Sequence, residues 1–167
     1  YSLVSSDLPG GLVLSPSGLL SGIPTGAGIF TFTVASTDST SPVDYGPYRS
    51  SAVYRLYVQS ATEAPTVDLD GDGRFDAFAD GLMIMRSMFG LSGTAVTAGA
   101  TGAGAPYAEP AMINARYTRL RSHLDVDGNG RIDALTDGLL IIRYLFGLRA
   151  SSLIAGVVDP QGTRTTA

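Results

Sequence analysis

The stretch DLDGDGRFD at residues 68–76 recurs as DVDGNGRID at residues 125–133. In both copies acidic or amide side chains alternate with other residues, and a glycine follows the second and the third of them. Alternation places side-chain oxygens on one side of a tight loop, and glycine permits the sharp bend that wraps backbone around a hard cation. The two copies therefore predict a pair of calcium-binding loops.

The repeat extends beyond the loops. At a fixed offset (125 − 68 = 57) and without a gap, residues 68–91 match residues 125–148 at 15 of 24 positions. Both copies continue through Ala-x-x-Asp-Gly-Leu into an apolar segment of helical period. These segments end at Gly90 and Gly147, where left-handed helix caps are expected. The repeated unit is thus a loop followed by a helix.

Candidate ligands follow from the spacing of oxygen-bearing groups in each loop. Side chains at the first, third and fifth positions converge, the seventh residue offers its backbone carbonyl, and a further carboxylate must complete the shell. The first loop supplies Asp68, Asp70, Asp72, the Arg74 carbonyl and either Asp76 or Asp80. The second loop supplies Asp125, Asp127, Asn129, the Arg131 carbonyl and either Asp133 or Asp137. We expect one calcium ion in each loop.

Asp80 and Asp137 allow two interpretations. Either they bind the ion bidentately from the first turn of the following helix, or they are helix N-caps, which is a common role for Asp. Ligation is favoured, because a calcium site without its bidentate carboxylate is much weaker.

The period of the apolar residues changes across ATEAPTV at residues 61–67. Before this linker, period-two alternation and turn residues predict strands. They are expected at residues 12–14, 19–20, 30–34 and 54–58. After the linker the period is helical, and a helix is also expected at residues 110–124, with Pro110 in its first turn. The predicted organisation is a β domain at residues 1–60, the linker, and a helical module at residues 68–167.

Three motifs in the first third of the chain carry a family resemblance. They are LPGGL at residues 8–12, SGLLSGIP at residues 17–24 and FTFTVASTD at residues 30–38. With these motifs the segment resembles the immunoglobulin-like, cadherin-like modules of bacterial surface and secreted proteins. The resemblance implies a β-sandwich, of which this chain begins after the opening strands.

Residues 68–148 resemble the dockerin and EF-hand class of calcium units, which implies a paired, calcium-dependent helical module. The expected fold class is α+β, a partial immunoglobulin-like β-sandwich followed by a dockerin-like module with two EF-hand-type loops. Those families place the closing carboxylate at the twelfth loop residue, which here is Ala79 or Thr136. Each loop is therefore interpreted as widened by one residue. Phe75 and Ile132 stand where EF-hands have an apolar residue that packs the loops together.

Composition argues against several classes of function. The net charge is −4, Cys is absent, and the Arg residues are scattered without a basic run, which argues against nucleic-acid binding. No apolar stretch reaches membrane-spanning length. Calcium loops of modest affinity fill where calcium is millimolar, which indicates a secreted or bacterial cell-surface protein. No enzyme activity is expected, because the remaining acidic residues form no group suited to acid–base catalysis. They are Asp7, Asp38, Asp44, Glu63, Glu109 and Asp159.

The predicted function is that of a non-catalytic extracellular structural module, a segment or subunit of a bacterial surface protein or fibre, in which calcium rigidifies the helical part. Two alternatives remain open: a docking module that binds a cohesin-like scaffold, and an accessory module of a secreted polysaccharide-degrading enzyme. Dockerin recognition normally uses polar residues just after the ninth loop residue. This chain has Ala77-Phe78 and Ala134-Leu135 there.

Self-association is a further expectation. About five strands cannot close a sandwich of roughly seven, so an exposed edge would need cover from a neighbouring subunit or another extracellular protein. Ala167 aligns with Pro110 at the offset of 57, so the second repeat stops before the helix of the first. The apolar tail SLIAGVV at residues 152–158 is the candidate donor strand, with packing onto its own repeat as the alternative.

Overall fold

A computed structural model describes residues 1–5, 7–41 and 46–166. The chain divides into two compact units, Tyr1–Glu63 and Ala64–Ala167. The first contains strands and the second contains helices, so the chain is mixed α and β as expected. No helix in the described ranges is both long and apolar enough to span a membrane.

The first unit has five strands in its described part. They are β1 (Ser2–Leu3), β2 (Leu12–Leu14), β3 (Leu20–Gly22), β4 (Gly28–Thr37) and β5 (Arg49–Val58). The long strands β4 and β5 pair antiparallel, with β1 on the other edge of β4, and β2 and β3 form a separate hairpin. All four predicted strand segments lie within these elements or overlap them.

The core of the first unit is small. Phe32 is buried, and it stacks on its cross-strand partner Tyr54 with ring centroids 5.9 Å apart. Several large apolar side chains remain exposed, among them Val13 and Val53. Side chains of both sheets, including Leu14, Leu20 and Phe32, line an open cleft of about 370 Å³.

The second unit contains the repeat. Its helices are α1 (Leu82–Met88), α2 (Thr94–Thr97), α3 (Pro110–Leu120), α4 (Leu139–Leu145) and α5 (Ser151–Ile154). One turn of π-helix precedes α1 at Ala77–Gly81 and another precedes α4 at Ala134–Gly138, and a 3₁₀ turn, Arg121–His123, follows α3. Gly90 and Gly147 follow α1 and α4 with φ of 80° and 85°. The two glycine caps and the helix start at Pro110 confirm those predicted boundaries. The helix predicted at residues 110–124 is α-helical only to Leu120 and ends in the 3₁₀ turn.

The structural repeat is longer than the sequence repeat. Arg86 Nη1 donates to the carbonyls of Val96 and Ala98, and Arg143 Nη1 makes the same two bonds to Leu153 and Ala155, their equivalents in the second copy. Short helices α2 and α5 occupy equivalent positions, although residues 94–97 and 151–154 share no identity. A single guanidinium thus fixes the segment after each main helix.

The tail at residues 152–158 corrects an expectation. The sequence predicted a β-prone segment there, whereas its first part belongs to α5 and Val157 is buried. α5 packs against α4 of its own repeat. The β-strand prediction was wrong, whereas the alternative, packing of the tail onto its own repeat, is confirmed. The bonds from Arg143 and the packing on α4 decide the conformation here, rather than the β-propensity of the apolar residues.

Candidate metal centre

Three carboxylates meet in the first loop. Oxygens of Asp68, Asp70 and Asp80 lie within 4.8 Å of one another, and all three residues are buried. Asp68 and Asp70 come from the start of the loop, and Asp80 comes from the π turn that begins the helix. The structure thus brings together residues 12 positions apart (80 − 68) into one acidic cluster.

The π turn explains how Asp80 reaches the loop. The amide of Gly81 donates to the Asp76 carbonyl at 3.1 Å, five residues back, so the turn contains one residue more than an α-helical turn. Single π turns inside helices absorb an inserted residue and are frequent at functional sites. The extra residue, which puts Asp80 at the thirteenth rather than the twelfth loop position, therefore still leaves its carboxylate facing Asp68 and Asp70.

The N-cap of this helical segment is Asp76. Its Oδ1 accepts from the Ala79 amide at 2.6 Å. Asp80 instead accepts from the Leu69 amide at 2.8 Å and from the Asp76 amide at 3.1 Å. The interpretation of Asp80 as an N-cap was wrong, because the widened turn moves the capping role four residues earlier.

The second loop repeats this arrangement. Oxygens of Asp125, Asp127 and Asp137 lie within 4.8 Å of one another. Asp137 accepts from the Val126 amide at 2.6 Å, and the N-cap is Asp133, whose carboxylate accepts from the Thr136 amide at 2.9 Å. The N-cap interpretation of Asp137 was wrong for the same reason.

The remaining candidates lie at the rim. Asp72 and Asn129 each accept, through a side-chain oxygen, from the amide two residues later, at Arg74 and Arg131 respectively. The four-residue stretch 73–76 is not helical, which leaves the Arg74 carbonyl outside any helix bond. Neither Asp72 nor Asp76 belongs to the three-carboxylate cluster of its loop.

Burial and repulsion by neighbouring carboxylates oppose the ionisation of Asp80 and Asp137. Burial, with a smaller contribution from the negative charges of Asp70 and Asp68, raises the pKa of Asp80 to about 6, although the two amides that donate to its carboxylate oppose the shift. Burial likewise raises the pKa of Asp137. Hydrogen bonding to the Thr136 side chain lowers the pKa of Asp133. Asp80 and Asp137 thus resist ionisation, whereas the cap Asp133 favours it.

Two segments that the loop motif does not include also reach the clusters. The amides of Gly102 and Tyr107 donate to the carboxylate and the carbonyl of Asp70, at 2.6 and 3.0 Å. The equivalent residues of the second repeat do the same, since the amides of Asp159 and Arg164 donate to Asp127 at 2.9 and 2.8 Å. Each loop is therefore covered by backbone from a segment that lies well downstream in the sequence.

Asp159 lies beside the second loop, although the sequence interpretation assigned it to no site. It accepts from Asn129 Nδ2 at 3.2 Å, whereas the equivalent residue of the first repeat is Gly102. A Cβ at Gly102 would collide with the Asp72 carboxylate. At these two equivalent positions the first repeat has its carboxylate at Asp72 and the second repeat has it at Asp159. The sequence signal for Asp159 is a paired difference between the two copies at the offset of 57. Asp72 is replaced by Asn129, and Gly102 is replaced by Asp159.

Phe75 and Ile132 differ in environment. Phe75 is 60% exposed, whereas Ile132 is half-buried against the main core of the unit. Among the described residues, strand pairing is confined to the first unit. Phe75 nevertheless lines an apolar groove together with Val126 of the second loop, and Ile132 packs against the core that contains Leu69 of the first. Each side chain thus faces the opposite loop as expected, although no strand ladder joins the two segments.

Of the other acidic residues, Asp44 lies outside the described residues. Asp38 lies at the end of β4 and accepts from Thr40 and from the Tyr48 amide, and hydrogen bonding to the Thr40 side chain lowers its pKa. It is exposed and belongs to neither acidic cluster.

Comparison with known proteins identifies the first unit. Residues 1–59 match the family model described as "Putative Ig domain". This N-terminal part is immunoglobulin-like. The match stops before the second unit. No curated protein and no solved structure matches the chain. The immunoglobulin-like part of the predicted fold is confirmed, and it suggests a structural surface module.

Proposed function

We propose that each acidic cluster binds one calcium ion. The observation that carries this proposal is the convergence of three carboxylates, mostly buried, in each loop. Three buried negative charges at such distances are strongly unfavourable unless a cation or protons compensate them. All the available ligands are oxygens on a flexible, glycine-containing loop, and calcium takes about 6–8 oxygen ligands in such geometry.

The first ion would be held by Asp68, Asp70 and Asp80, with Asp72 and the Arg74 carbonyl at the rim. The second would be held by Asp125, Asp127 and Asp137, with Asn129, the Arg131 carbonyl and Asp159 around it. Asp80 and Asp137 would complete each shell from the helix. Asp76 and Asp133 would act as caps. This arrangement makes each site a loop widened by one residue relative to EF-hand and dockerin loops.

Calcium would act as a structural clamp. Each cluster joins the start of a loop to the first turn of a helix, and amides at Gly102 and Asp159 tie a distant segment to the same acids. An ion would hold these parts together and remove the repulsion between the acids. Its binding free energy would therefore appear as stability of the unit at residues 64–167.

The biological role that we propose is non-catalytic and extracellular. An immunoglobulin-like part next to a calcium-stabilised helical unit suits a segment of a secreted or bacterial surface protein, where calcium is millimolar and weak sites fill. The dockerin alternative and the enzyme-accessory alternative have the resemblance alone behind them. Phe78 and Leu135, at the dockerin recognition positions, are apolar and exposed.

Calorimetric titration of the chelator-treated chain with calcium tests the proposal. We expect two sites for the natural sequence and one for either Asp70→Ala or Asp127→Ala. The double variant should show none, and Asp7→Ala in the first unit is the matched control. Fewer than two sites in the natural sequence, or an isotherm that the double variant leaves unchanged, would contradict it.

A further inference from the structure

The second loop contains the dipeptide Asn129-Gly130. Asparagine is chemically labile, and a following glycine favours attack by the peptide nitrogen on the side chain, because glycine has no Cβ to obstruct the approach. The other asparagine of the chain, Asn114, lies within α3 and is followed by Ala115. The chain thus has one Asn-Gly pair, and that pair lies beside the second acidic cluster.

The side chain of Asn129 is folded over the peptide nitrogen that would attack it. Its Oδ1 accepts from the Arg131 amide at 2.7 Å. A bond from a side-chain oxygen to the amide two residues later forms an Asx turn, whose ring includes the intervening nitrogen, here that of Gly130. The nitrogen and the side-chain carbonyl are therefore held in one small ring.

The surroundings of Gly130 leave this nitrogen open to reaction. Gly130 is exposed, and a Cβ built on it would meet no atom within 4 Å beyond its chain neighbours. Its amide donates to Asp125 Oδ2 at 3.1 Å, so a carboxylate stands beside the proton that the nitrogen must lose. No bulky group therefore separates the two reacting groups.

The folded loop nevertheless restrains the reaction. Attack requires the side-chain amide to turn its face towards the Gly130 nitrogen, and both ends of that amide are held. Oδ1 is held by Arg131, and Nδ2 donates to Asp159 Oδ2 at 3.2 Å. Asp159 is itself anchored, since its amide donates to Asp127 Oδ2 at 2.9 Å. The loop thus brings the reacting groups together and limits the turn that joins them.

We propose that Asn129 is a deamidation site, restrained by Asp159 in the folded loop, that reacts when the second loop holds no metal. The Gly130 nitrogen forms a bond to Cγ of Asn129, the bond from Cγ to Nδ2 breaks, and ammonia leaves with the proton that the nitrogen gives up. The succinimide then adds water and opens to aspartate or isoaspartate. The aspartate product has the residue pattern of the first loop, where Asp72 stands at this position.

Calcium would oppose the reaction, and this part of the proposal rests on the proposed function. An ion would engage Asp125 and the Asn129 carbonyl oxygen, so that the side chain could not turn. Calcium at about 100 times its dissociation constant leaves about one hundredth of the loops without metal, and deamidation should slow by a comparable factor. Aspartate at position 129 would face the Asp159 carboxylate, and their repulsion would loosen the metal-free loop further.

Incubation of the whole chain in neutral buffer, with chelator or with millimolar calcium, provides the test. Peptide mass spectrometry measures the exchange of the amide NH₂ for OH, and Asn114 is the internal control. With chelator we expect modification of Asn129 well before Asn114. Asp159→Ala should accelerate it by about fivefold, as expected for the loss of one hydrogen bond. Asp7→Ala in the first unit is the matched control and should leave the rate unchanged.

Two results with chelator would overturn the proposal. They are modification of Asn129 no faster than that of Asn114, and equal rates for the natural chain and Asp159→Ala. If the rates with chelator and with calcium were equal, calorimetry of the same sample would decide between two causes. A filled second site would overturn the requirement for a metal-free loop. Absence of calcium binding would refute the proposed function, and the excess over Asn114 would still support the deamidation site.

Discussion

Asn129 donates through Nδ2 to the carboxylate of Asp159 at 3.2 Å, although the two residues are far apart in the sequence. In the first repeat the equivalent pair is Asp72 and Gly102, where the space beside the Asp72 carboxylate admits no side chain. At this pair of positions each copy therefore has one carboxylate, at Asp72 in the first copy and at Asp159 in the second. The two positions therefore form a matched pair at the rim of each acidic cluster.

This relationship predicts compensation between two substitutions. Asp159→Gly should weaken calcium binding at the second site by about tenfold, because it removes a negative charge close to the ion. Adding Asn129→Asp recreates the pair of the first repeat and should restore most of the affinity. Calorimetry measures both, and the first site serves as the internal control. Equal affinity in the double variant and in Asp159→Gly would contradict the compensation.

Removal of calcium by a chelator should destabilise the second unit and leave the first unit little changed. Removal of calcium from the whole chain restores repulsion among buried acids at residues 64–167, whereas the first unit has no such cluster in its described part. Calcium at 100 times its dissociation constant would stabilise by about 2.7 kcal/mol per site. We therefore expect a chelator to accelerate hydrogen exchange in α1, α3 and α4, and to change β4 and β5 little. Unchanged protection of α1 and α4 would refute a structural role for the ion.

The closing ligand can be distinguished from the cap by conservative substitution. Asp80→Asn and Asp137→Asn should each weaken calcium at their own loop by about a hundredfold, because a calcium site depends strongly on its bidentate carboxylate. Asp76→Asn and Asp133→Asn keep a capping oxygen and should alter affinity far less, since Asn is a good N-cap. Titration of all four variants is the measurement. The reverse order of effects would assign ligation to Asp76 and Asp133.

Calcium affinity should fall in mild acid. Burial raises the folded-state pKa of Asp80 to about 6, so without calcium its protonated form contributes stability that is present below pH 4 and is lost as the pH rises through 6. Calcium requires the ionised form and displaces that proton. Below pH 6 the affinity of the first site should therefore drop by about tenfold per pH unit for this one group. Titration from pH 7.5 to 5 checks this, and Asp80→Asn should flatten the profile.

The sequence predicted the local features well. Gly90 and Gly147 marked the helix ends, and period two marked β4 and β5, because caps and alternation depend on neighbours in the chain. The covering segments at Gly102 and Asp159 depend on contacts between distant parts of the sequence, which no local pattern encodes. The sequence did not show whether Asp76 or Asp80 is the N-cap, because that assignment depends on the π turn at Ala77–Gly81. The helix α5 was hidden for a related reason, since Arg143 binds its carbonyls and residues 151–154 share no identity with α2.

The last prediction concerns backbone strain at Ala150, which is evident from comparison of the two repeats. Ala150, just before α5, has φ 51° and ψ −137°, and Gly93, its equivalent before α2, has φ 61° and ψ −143°. Glycine adopts this conformation readily, whereas for alanine it costs about 1–3 kcal/mol. Ala150→Gly should therefore stabilise the helical unit by about 1 kcal/mol, after allowance for the greater freedom of glycine in the unfolded chain.

Differential scanning calorimetry in calcium would show a rise of a few degrees in the melting temperature of the second unit. Ala155→Gly is the matched control, because Ala155 is also exposed beside α5 but has an ordinary φ of −55°. It should lower the melting temperature, and Gly93→Ala should lower it further by imposing the strain of Ala150 on the first repeat. If Ala150→Gly and Ala155→Gly destabilised equally, the backbone at Ala150 would carry no strain that glycine relieves.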